Sequence, residues 1–467
     1  MAHNPNPFDF VPFPPQPMIY ERSYLDRRGA PVSGYIDVEI KALTPVHVIG
    51  TVERQGDASY SSMYKQDNEY VIPAASIRGM LRSFIEALTG GWVSQAKETY
   101  PKEYRERHLG FSLFESYTDD RERSTPPAIK PAFKPMNRDD GKIDIATYLF
   151  GIVTEPEKED DQPLMLRSKV WVEDAIIPPE AIVADEYWTP DIDGEAFMGG
   201  PKPNRSNWWY FYPKKVQKRI VRFANGNTSE RAEFVGQKLR GRKFYFHQNP
   251  KETMDFYHPR QRNWNYPDGF SPIWLESMRP GATTKKFRIY VDKVPTILFI
   301  LLELALTPGN IRHKLGYGKA YGYGSVELKL GKWHLRVDKP GSIPGGLEEF
   351  SYNFNNWNDG RLDQMHVRDF IDSEALQWLA RIGNWEPTSR ITFTYPPFSG
   401  GNFSESVSWQ QFTQRVEQIA RISDNMPVTP ILARKIAKAL FPLKKPIHFR
   451  YYQEQANGWD IIEKRTP

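Results

Sequence analysis

The sequence predicts an α+β fold built on a βαββαβ core, with two large insertions and a C-terminal extension. Short stretches in which apolar and polar residues alternate are typical of half-buried strands. Two longer stretches predict helices: one has apolar residues at helical spacing, and the other is apolar throughout. Long polar segments separate these elements. At 467 residues, the chain is long enough for such a core together with folded additions.

The first half of the predicted core is a strand followed by a helix. Residues 1–34 are rich in proline and are expected to form an extended N-terminal arm over the surface. A strand is predicted at residues 35–42, where apolar and charged residues alternate. The polar residues 49–69 are expected to form a mobile loop. A helix then follows, with Ser76 as its N-cap and Gly90 at its end.

The second half of the predicted core contains three strands and one helix. Strands are predicted at residues 168–174 and 286–294 from their alternating patterns. Pro295 can open a helix that continues over residues 297–306, and a last strand covers residues 326–330. This element order is that of the ferredoxin-like arrangement, which includes the RNA-recognition fold.

Long segments interrupt this core and extend it. Because such lengths are improbable as bare connections, they are expected to be folded insertions or partly disordered arms. Helices are predicted within the extension at residues 373–382 and 430–440. The predicted units are the arm (1–34), the core (35–90, 166–175 and 286–335), a first insertion (91–165), a basic aromatic insertion (176–285) and the extension (340–467).

Composition and charge narrow the compartment and the kind of partner. The chain has no cysteine, which excludes disulfides and thiolate metal sites and favours the reducing cytoplasm. The longest apolar run, residues 296–306, is too short to span a bilayer, so no membrane partner is expected. The net charge is only +5, but residues 201–260 alone carry an excess of +10. A concentrated basic segment indicates a polyanionic partner.

A glycine-rich stretch at residues 314–325 reads KLGYGKAYGYGS. Glycine lets a backbone approach a ligand closely and adopt positive φ. Lys314 and Lys319 can contact phosphates, and Tyr321 offers a stacking face or a hydroxyl group. The stretch therefore predicts either a loop that grips an RNA backbone or an aromatic β-hairpin in which the glycines only make turns.

The predicted helix start offers a second anion site. Backbone N–H groups beside Ser76 and the helix dipole favour a phosphate there. Arg78 and Arg82 lie one turn apart on one helix face and add positive charge. The alternative is an ordinary capped helix with two solvated arginines.

The insertion at residues 176–285 interleaves aromatic and basic residues. The aromatic run 208–212 precedes a cluster of cations, a pattern that suits stacking on unpaired bases together with phosphate neutralisation. The alternatives are a β-rich subdomain with a solvated basic rim and a surface that docks on a neighbouring subunit. The candidate cations are Lys214, Lys215, Lys218 and Arg219.

Several segments resemble the RAMP superfamily of type III CRISPR systems. Residues 72–83, IPAASIRGMLRS, are similar to its helix start, and LFG at 149–151 followed by residues 168–175 is similar to its next signature. Residues 314–325 are similar to its glycine-rich loop. Three further segments resemble a longer, insertion-bearing subfamily of the Csm and Cmr kind: GPKP at 200–203, RGRKFY at 240–245 and HKLG at 313–316.

The resemblance implies an RNA-binding backbone subunit of a CRISPR RNA-guided effector complex that serves antiviral defence. Such subunits hold the guide RNA and the guide–target duplex through phosphate contacts, while base pairing reads sequence. The implied partners are CRISPR RNA, target RNA and other RAMP and effector-complex subunits. Arg78, Arg82, Lys314 and Lys319 would then contact phosphates, and Tyr321 would stack or hydrogen-bond.

The resemblance also implies an enzymatic alternative, in which the subunit cleaves target RNA. Cleaving members of the family use an aspartate in the loop after the first strand, and here that loop offers Asp57. The family spacing would place the position near Tyr60 or Ser61, so the chain departs from the pattern. A carboxylate there would act with a divalent metal such as Mg²⁺ or Mn²⁺; no other cofactor is expected.

A second enzymatic alternative is processing of precursor CRISPR RNA by histidine acid–base chemistry. His47 lies near the first strand and His313 opens the glycine loop. This chemistry needs no metal, and no histidine pair in the sequence has the spacing of a zinc site.

Overall fold

The computed structural model describes much of residues 8–385 and two strands near the C-terminus. The described ranges are 8–55, 58–94, 114, 117–118, 124–125, 127–136, 140–154, 163–192, 195–196, 211–222, 228–248, 270–337, 348–350, 366–385, 448–455 and 458–465. The predicted helix at residues 430–440 lies outside them.

Helices and strands are both well represented, which confirms the α+β class. The helices are α1 (Arg22–Asp26), α2 (Ala74–Leu88), α3 (Ile145–Phe150), α4 (Thr296–Leu306) and α5 (Ser373–Gly383). The strands are β1 (Phe8–Val11), β2 (Tyr20–Glu21), β3 (Pro31–Ala42), β4 (Ile49–Gln55), β5 (Ala58–Met63), β6 (Lys65–Gln66), β7 (Glu69–Ile72), β8 (Tyr117–Thr118), β9 (Ser124–Thr125), β10 (Lys142–Ile143), β11 (Ile152–Val153), β12 (Met165–Leu166), β13 (Val170–Val172), β14 (Ala175–Ile177), β15 (Ile182–Ile192), β16 (Glu195–Ala196), β17 (Phe211–Arg222), β18 (Thr228–Leu239), β19 (Arg242–Tyr245), β20 (Phe270–Met278), β21 (Phe287–Pro295), β22 (His313–Lys314), β23 (Ser325–Val337), β24 (Glu348–Phe350), β25 (His448–Gln455) and β26 (Gly458–Arg465).

A central sheet contains the strands predicted for the core. Its order is β13-β21-β3-β23-β22, and β24 pairs with the far end of β23. The pairs β13–β21, β21–β3 and β3–β23 are antiparallel. The predicted strands are thus present, although β3 begins at Pro31 and β23 continues to Val337. Strands β3 and β23 are longer than their clearest alternation because pairing continues into less regular sequence, whereas β13 covers only Val170–Val172 of the predicted 168–174.

One face of this sheet packs against α2 and α4. Alternate residues of β3, such as Ile36, Val38 and Ile40, are fully buried in one core cluster with Leu81 of α2 and Leu301 of α4. Burying such a side chain stabilises the fold by about 1.5–3 kcal/mol. Helix α4 is buried over nearly its whole length, which explains why its sequence is apolar throughout. It has 11 residues, and among the described residues we find no helix with the length and apolar character needed to cross a bilayer.

Helix α2 begins earlier than the sequence predicts. Pro73 is its N-cap residue, and Ser76 lies inside the first turn, where its N–H bonds to the Pro73 carbonyl oxygen at 2.9 Å. The prediction of Ser76 as N-cap was therefore wrong. A capping oxygen comes instead from Asp174, whose Oδ1 accepts the Ala74 N–H at 2.6 Å. Since Asp174 precedes β14, which pairs with β7 just before the helix, the sheet pairing positions this cap.

The predicted mobile loop at residues 49–69 consists mainly of paired strands. Strands β4 and β5 form an antiparallel hairpin, and β6 and β7 form another. Strand β5 also pairs in parallel with β20, which gives a second sheet in the order β16-β15-β20-β5-β4. Three strands of the long insertion, β15, β16 and β20, thus extend a hairpin of the core region, and the polar composition of residues 49–69 reflects surface hairpins.

Residues 8–11 of the predicted N-terminal arm form a buried strand. Strand β1 pairs with β19 of the insertion, and Phe8, Phe10 and Val11 are buried. Helix α5 contacts β1, β19 and α2, and its span confirms the helix predicted at residues 373–382. Pairing with a strand distant in sequence explains why proline content was misleading about residues 8–11.

Candidate nucleic-acid interface

The glycine-rich loop between β22 and β23 has a backbone that requires glycine. Gly316 and Gly324 adopt φ values of 79° and 75°. A Cβ atom at Gly316 would lie 2.2 Å from the His47 carbonyl oxygen, and one at Gly324 would lie 1.9 Å from that of Leu315. A side chain at either position would therefore displace the backbone it faces.

This loop is fastened to the segment that follows β3. The Tyr317 N–H bonds to the His47 carbonyl oxygen at 2.8 Å, and the Gly324 N–H bonds to that of Pro45 at 2.7 Å. The Leu315 N–H bonds across the loop to the Gly324 carbonyl oxygen at 2.8 Å. The loop is thus a defined, preorganised structure that is more than a simple hairpin turn.

Lys314 points into this loop. Its Nζ donates to the carbonyl oxygens of Tyr323 at 2.8 Å and Gly322 at 3.1 Å. Burial and, secondarily, the charge of Lys319 hold the pKa of Lys314 well below its ordinary value. The ammonium group on which the expected phosphate contact depends is therefore engaged with loop carbonyl oxygens.

The other two candidate residues of the loop differ in exposure. Tyr321 is 0% exposed, so its ring presents no stacking face in this structure. The preceding carbonyl oxygen, of Ala320, accepts from Nε2 of Gln248, which comes from the end of the long insertion. Lys319 stays partly exposed, and burial of the rest of its side chain lowers its pKa. Lys319 thus keeps a partly exposed basic side chain on this loop, whereas the Lys314 amino group binds loop carbonyl oxygens.

The arginines of α2 hold the segment that ends α3. Arg82 is 6% exposed; its Nε lies 2.9 Å from Oε1 of Glu86, and its Nη1 donates to the Gly151 carbonyl oxygen at 2.7 Å. Arg78, which is half-buried, donates through Nη2 to the Phe150 carbonyl oxygen. Burial and the charge of Arg82 lower the pKa of Arg78. The helix start and the LFG segment, which the sequence presents as separate signatures, are thus one hydrogen-bonded unit.

The start of α2 already holds an anion of the protein. The Asp174 carboxylate accepts the Ala74 N–H, and its negative charge faces the positive end of the helix dipole. A phosphate at the same place would meet that carboxylate. The expected anion site beside Ser76 is therefore filled from within the chain.

His47 and His313 have separate, buried surroundings. Nδ1 of His47 lies 2.7 Å from the Glu276 carbonyl oxygen and so carries the proton; Nε2, 3.0 Å from Ser61 Oγ, accepts from that hydroxyl. Nε2 of His313 donates to the Ala305 carbonyl oxygen at 2.8 Å, and its ring lies edge-on to Phe84.

Burial lowers the pKa of both histidines, that of His313 to about 4. Both side chains are held neutral and away from solvent, so the geometry gives the acid–base alternative no support.

The metal-dependent alternative depends on Asp57. Asp57 falls between β4 and β5 and lies outside the described residues. Tyr60 and Ser61, which stand near the family's catalytic spacing, lie on β5 opposite Trp274 and Leu275 of β20. Ser61 is buried and engaged with His47.

The basic cluster of the insertion lies on a long strand. Lys214, Lys215, Lys218 and Arg219 belong to β17, which forms a two-stranded ribbon with β18. Of the aromatic run, residues 208–210 lie outside the described part of the chain.

Comparison with known proteins identifies one family. A model described as the RAMP superfamily matches residues 39–327, a span that includes α2, the LFG segment, α4 and the glycine-rich loop. A search of curated proteins finds no similar sequence.

Proposed function

Because this chain belongs to the RAMP superfamily, we propose that it is an RNA-binding backbone subunit of a type III CRISPR RNA-guided effector complex. Membership of the family fits a CRISPR-associated RNA-binding subunit, and RAMP proteins work with RNA in multi-subunit CRISPR complexes. The subunit holds the guide RNA and the guide–target duplex through phosphate contacts, beside other RAMP and effector-complex subunits.

The core of the subunit is a ferredoxin-like fold. The strands of the βαββαβ order are β3, β13, β21 and β23, with α2 and α4 as the helices. Their spatial order, second-third-first-fourth in the chain, together with antiparallel pairing of neighbours, supports this assignment. The helices cover one face, and the glycine-rich loop lies where the last strand begins.

The observation that carries the RNA-binding proposal is the preorganised glycine-rich loop. Its backbone is fixed by contacts to Pro45 and His47 before any ligand arrives, so binding would cost little ordering entropy. Glycines at its bends allow an RNA backbone to approach closely. Lys319 supplies a partly exposed cation on the same loop.

The candidate residues then divide into two roles. Lys319, Arg78 and the β17 cations Lys214, Lys215, Lys218 and Arg219 contact phosphates. The other three candidates have a structural role, because their polar groups or rings are turned inward. These are Lys314, Tyr321 and Arg82. Ser76 lies in the first turn of α2, two residues before Arg78.

Guide retention by the assembled particle tests the proposal. In a complex purified with its guide RNA, Lys319→Glu should lower the amount of bound guide for every guide sequence, because phosphate contacts carry no sequence information. The matched control is Lys142→Glu, which makes the same charge change at an exposed site on β10. Equal guide retention by the two variants would contradict the proposal.

A further inference from the structure

A row of aromatic side chains crosses the central sheet from strand to strand. Trp171 of β13 pairs with Tyr290 of β21, Tyr290 pairs with Tyr35 of β3, and Tyr35 pairs with His334 of β23. Neighbouring strands lie about 4.8 Å apart, so the row is about 14 Å long. Beyond His334, the sheet continues at Glu349 of β24.

This row lies on the face that the helices leave open. Residues that alternate with it, such as Ile36 and Ile289, are fully buried in the core beneath α2 and α4. Trp171, Tyr290, Tyr35 and His334 are all partly exposed. The row therefore belongs to the solvent side of the sheet. Packing of the core does not explain why aromatic residues stand there.

The rings are ordered by their own contacts. Tyr35 and His334 stack with centroids 4.7 Å apart and planes 21° apart, and Tyr290 lies 6.0 Å from Tyr35. The guanidinium group of Arg288 lies 4.5 Å from the centre of the Tyr35 ring, and that of Arg167 lies 5.0 Å from that of Trp171. Aromatic planes with arginines beside them suit the stacking of unpaired bases.

Nearby carboxylates are engaged by the same surface. Asp37 forms an ion pair with Arg288 at 3.2 Å, and Glu173 accepts a hydrogen bond from the Tyr290 hydroxyl. Arg167 and Arg336 are exposed at opposite ends of the row. The Asp37 charge is thus paired and the Glu173 carboxylate is hydrogen-bonded, while the exposed cations at the two ends can meet a phosphate.

We propose that this open face binds single-stranded RNA, with unpaired bases stacking on the row Trp171, Tyr290, Tyr35 and His334. Tyr35 and Tyr290 lie on the two central strands, where sheets of the RNA-recognition kind carry their stacking residues. Arg167 and Arg336 contact the phosphates that flank those bases. The proposal rests on the proposed RNA-binding function and adds the class of nucleotide that this face takes.

This face is distinct from the glycine-rich loop. The loop adjoins the pair formed by Ala42 and Val326, seven residues along β3 from Tyr35. At about 3.3 Å per residue, the two regions are about 23 Å apart along the strand. The loop grips backbone without regard to bases, whereas the row needs bases that are unpaired.

Binding of a labelled uridine decamer to the purified full chain tests the proposal by fluorescence anisotropy. Tyr290→Leu removes a ring while keeping an apolar residue, and we expect it to weaken binding by about 5-fold or more. Tyr290→Phe keeps the ring and should stay within about 2-fold of the unmodified protein. An abasic decamer of the same charge should bind the unmodified protein and Tyr290→Leu equally.

Photocrosslinking provides the second readout, and its main result comes from the unmodified protein. With 4-thiouridine in the decamer, crosslinks of the unmodified protein should map to the peptides that contain Trp171, Tyr290 or Tyr35. They should persist in Lys319→Glu, so that failure at the loop and failure at this face are distinguishable. Unchanged decamer affinity in Tyr290→Leu without crosslinks on the row would overturn the proposal. The proposal would also be overturned if Tyr290→Leu lost a neighbouring subunit from the complex at unchanged RNA affinity. That result would identify the face as a protein interface.

Discussion

Arg82 and Glu86 form a buried ion pair one turn apart on α2, with Nε and Oε1 2.9 Å apart. Arg82→Ala would remove the cation paired with the buried Glu86 carboxylate and the donor to the Gly151 carbonyl oxygen. We expect the free energy of unfolding in urea to fall by about 3–5 kcal/mol. Arg78→Ala is the control on the same face, and it should cost less because Arg78 is half-buried. A loss below about 1 kcal/mol for Arg82→Ala would argue that this side chain serves a ligand instead.

The cap of α2 gives a second stability prediction with a control close to it. Asp174→Ala removes the oxygen that accepts the Ala74 N–H, and a lost N-cap costs about 1 kcal/mol. Ser76→Ala should change the free energy of unfolding by less than about 0.5 kcal/mol, because Ser76 does not cap the helix. Urea unfolding of both variants measures the difference. Equal costs would mean that the carboxylate does not act as the cap.

The two lysines of the glycine-rich loop should respond differently to salt. Lys319→Met removes a phosphate contact, so the slope of log affinity for guide RNA against log salt concentration should become shallower by about 1. Lys314→Met removes the donor to the Tyr323 and Gly322 carbonyl oxygens, which loosens the loop. Its affinity should fall with little change in slope. A shallower slope for Lys314→Met would show that Lys314 itself meets a phosphate.

Buried histidines make the fold sensitive to acid. The pKa of His313 is about 4 in the folded chain against about 6.5 when unfolded, so protonation favours unfolding. Its contribution to stability is complete above pH 6.5 and is lost as the pH falls towards 4, by about 3 kcal/mol in total. Burial lowers the pKa of His47 and His247 too, and their effects have the same sign.

The contribution of His313 can be separated from the others. His313→Gln keeps a donor for the Ala305 carbonyl oxygen but no longer titrates, so stability should depend less steeply on pH between 6.5 and 4. His366→Gln is the control, because the side chain of His366 is 75% exposed and folding desolvates it little. Unfolding curves at several pH values provide the measurement. Parallel curves for His313→Gln and the unmodified chain would contradict the assignment.

Local sequence patterns predicted the presence of helices and strands more successfully than the contacts between them. Alternation along residues 35–42 and 286–294 identified two strands that pair with each other, because a half-buried strand must alternate whatever its partner. The cap of α2 was missed since its acceptor, Asp174, lies 100 positions away in sequence. No local signal near Ser76 contains that information. Strand β1 was missed for the same reason, as its partner belongs to the insertion.

In the candidate site, residue types did not predict the direction in which the side chains point. The glycines at 314–325 predicted backbone with positive φ, and all four of them adopt it. The residue types did not reveal that Lys314 turns inward to bind loop carbonyl oxygens, or that Tyr321 is buried. The direction of a lysine depends on which acceptors lie within its reach, and these are brought together only by the fold.

The pairing of β1 with β19 has a consequence for synthesis on the ribosome. The Phe8–Val11 segment is synthesised before its partner at Arg242–Tyr245, which follows about 230 residues later. At typical translation rates, this apolar segment waits roughly 10 to 50 s before it can pair. Helix α5, which contacts both strands, emerges later still. A nascent chain of this protein thus exposes an unpaired apolar strand for much of its synthesis, and such segments are prone to aggregate until their partner arrives.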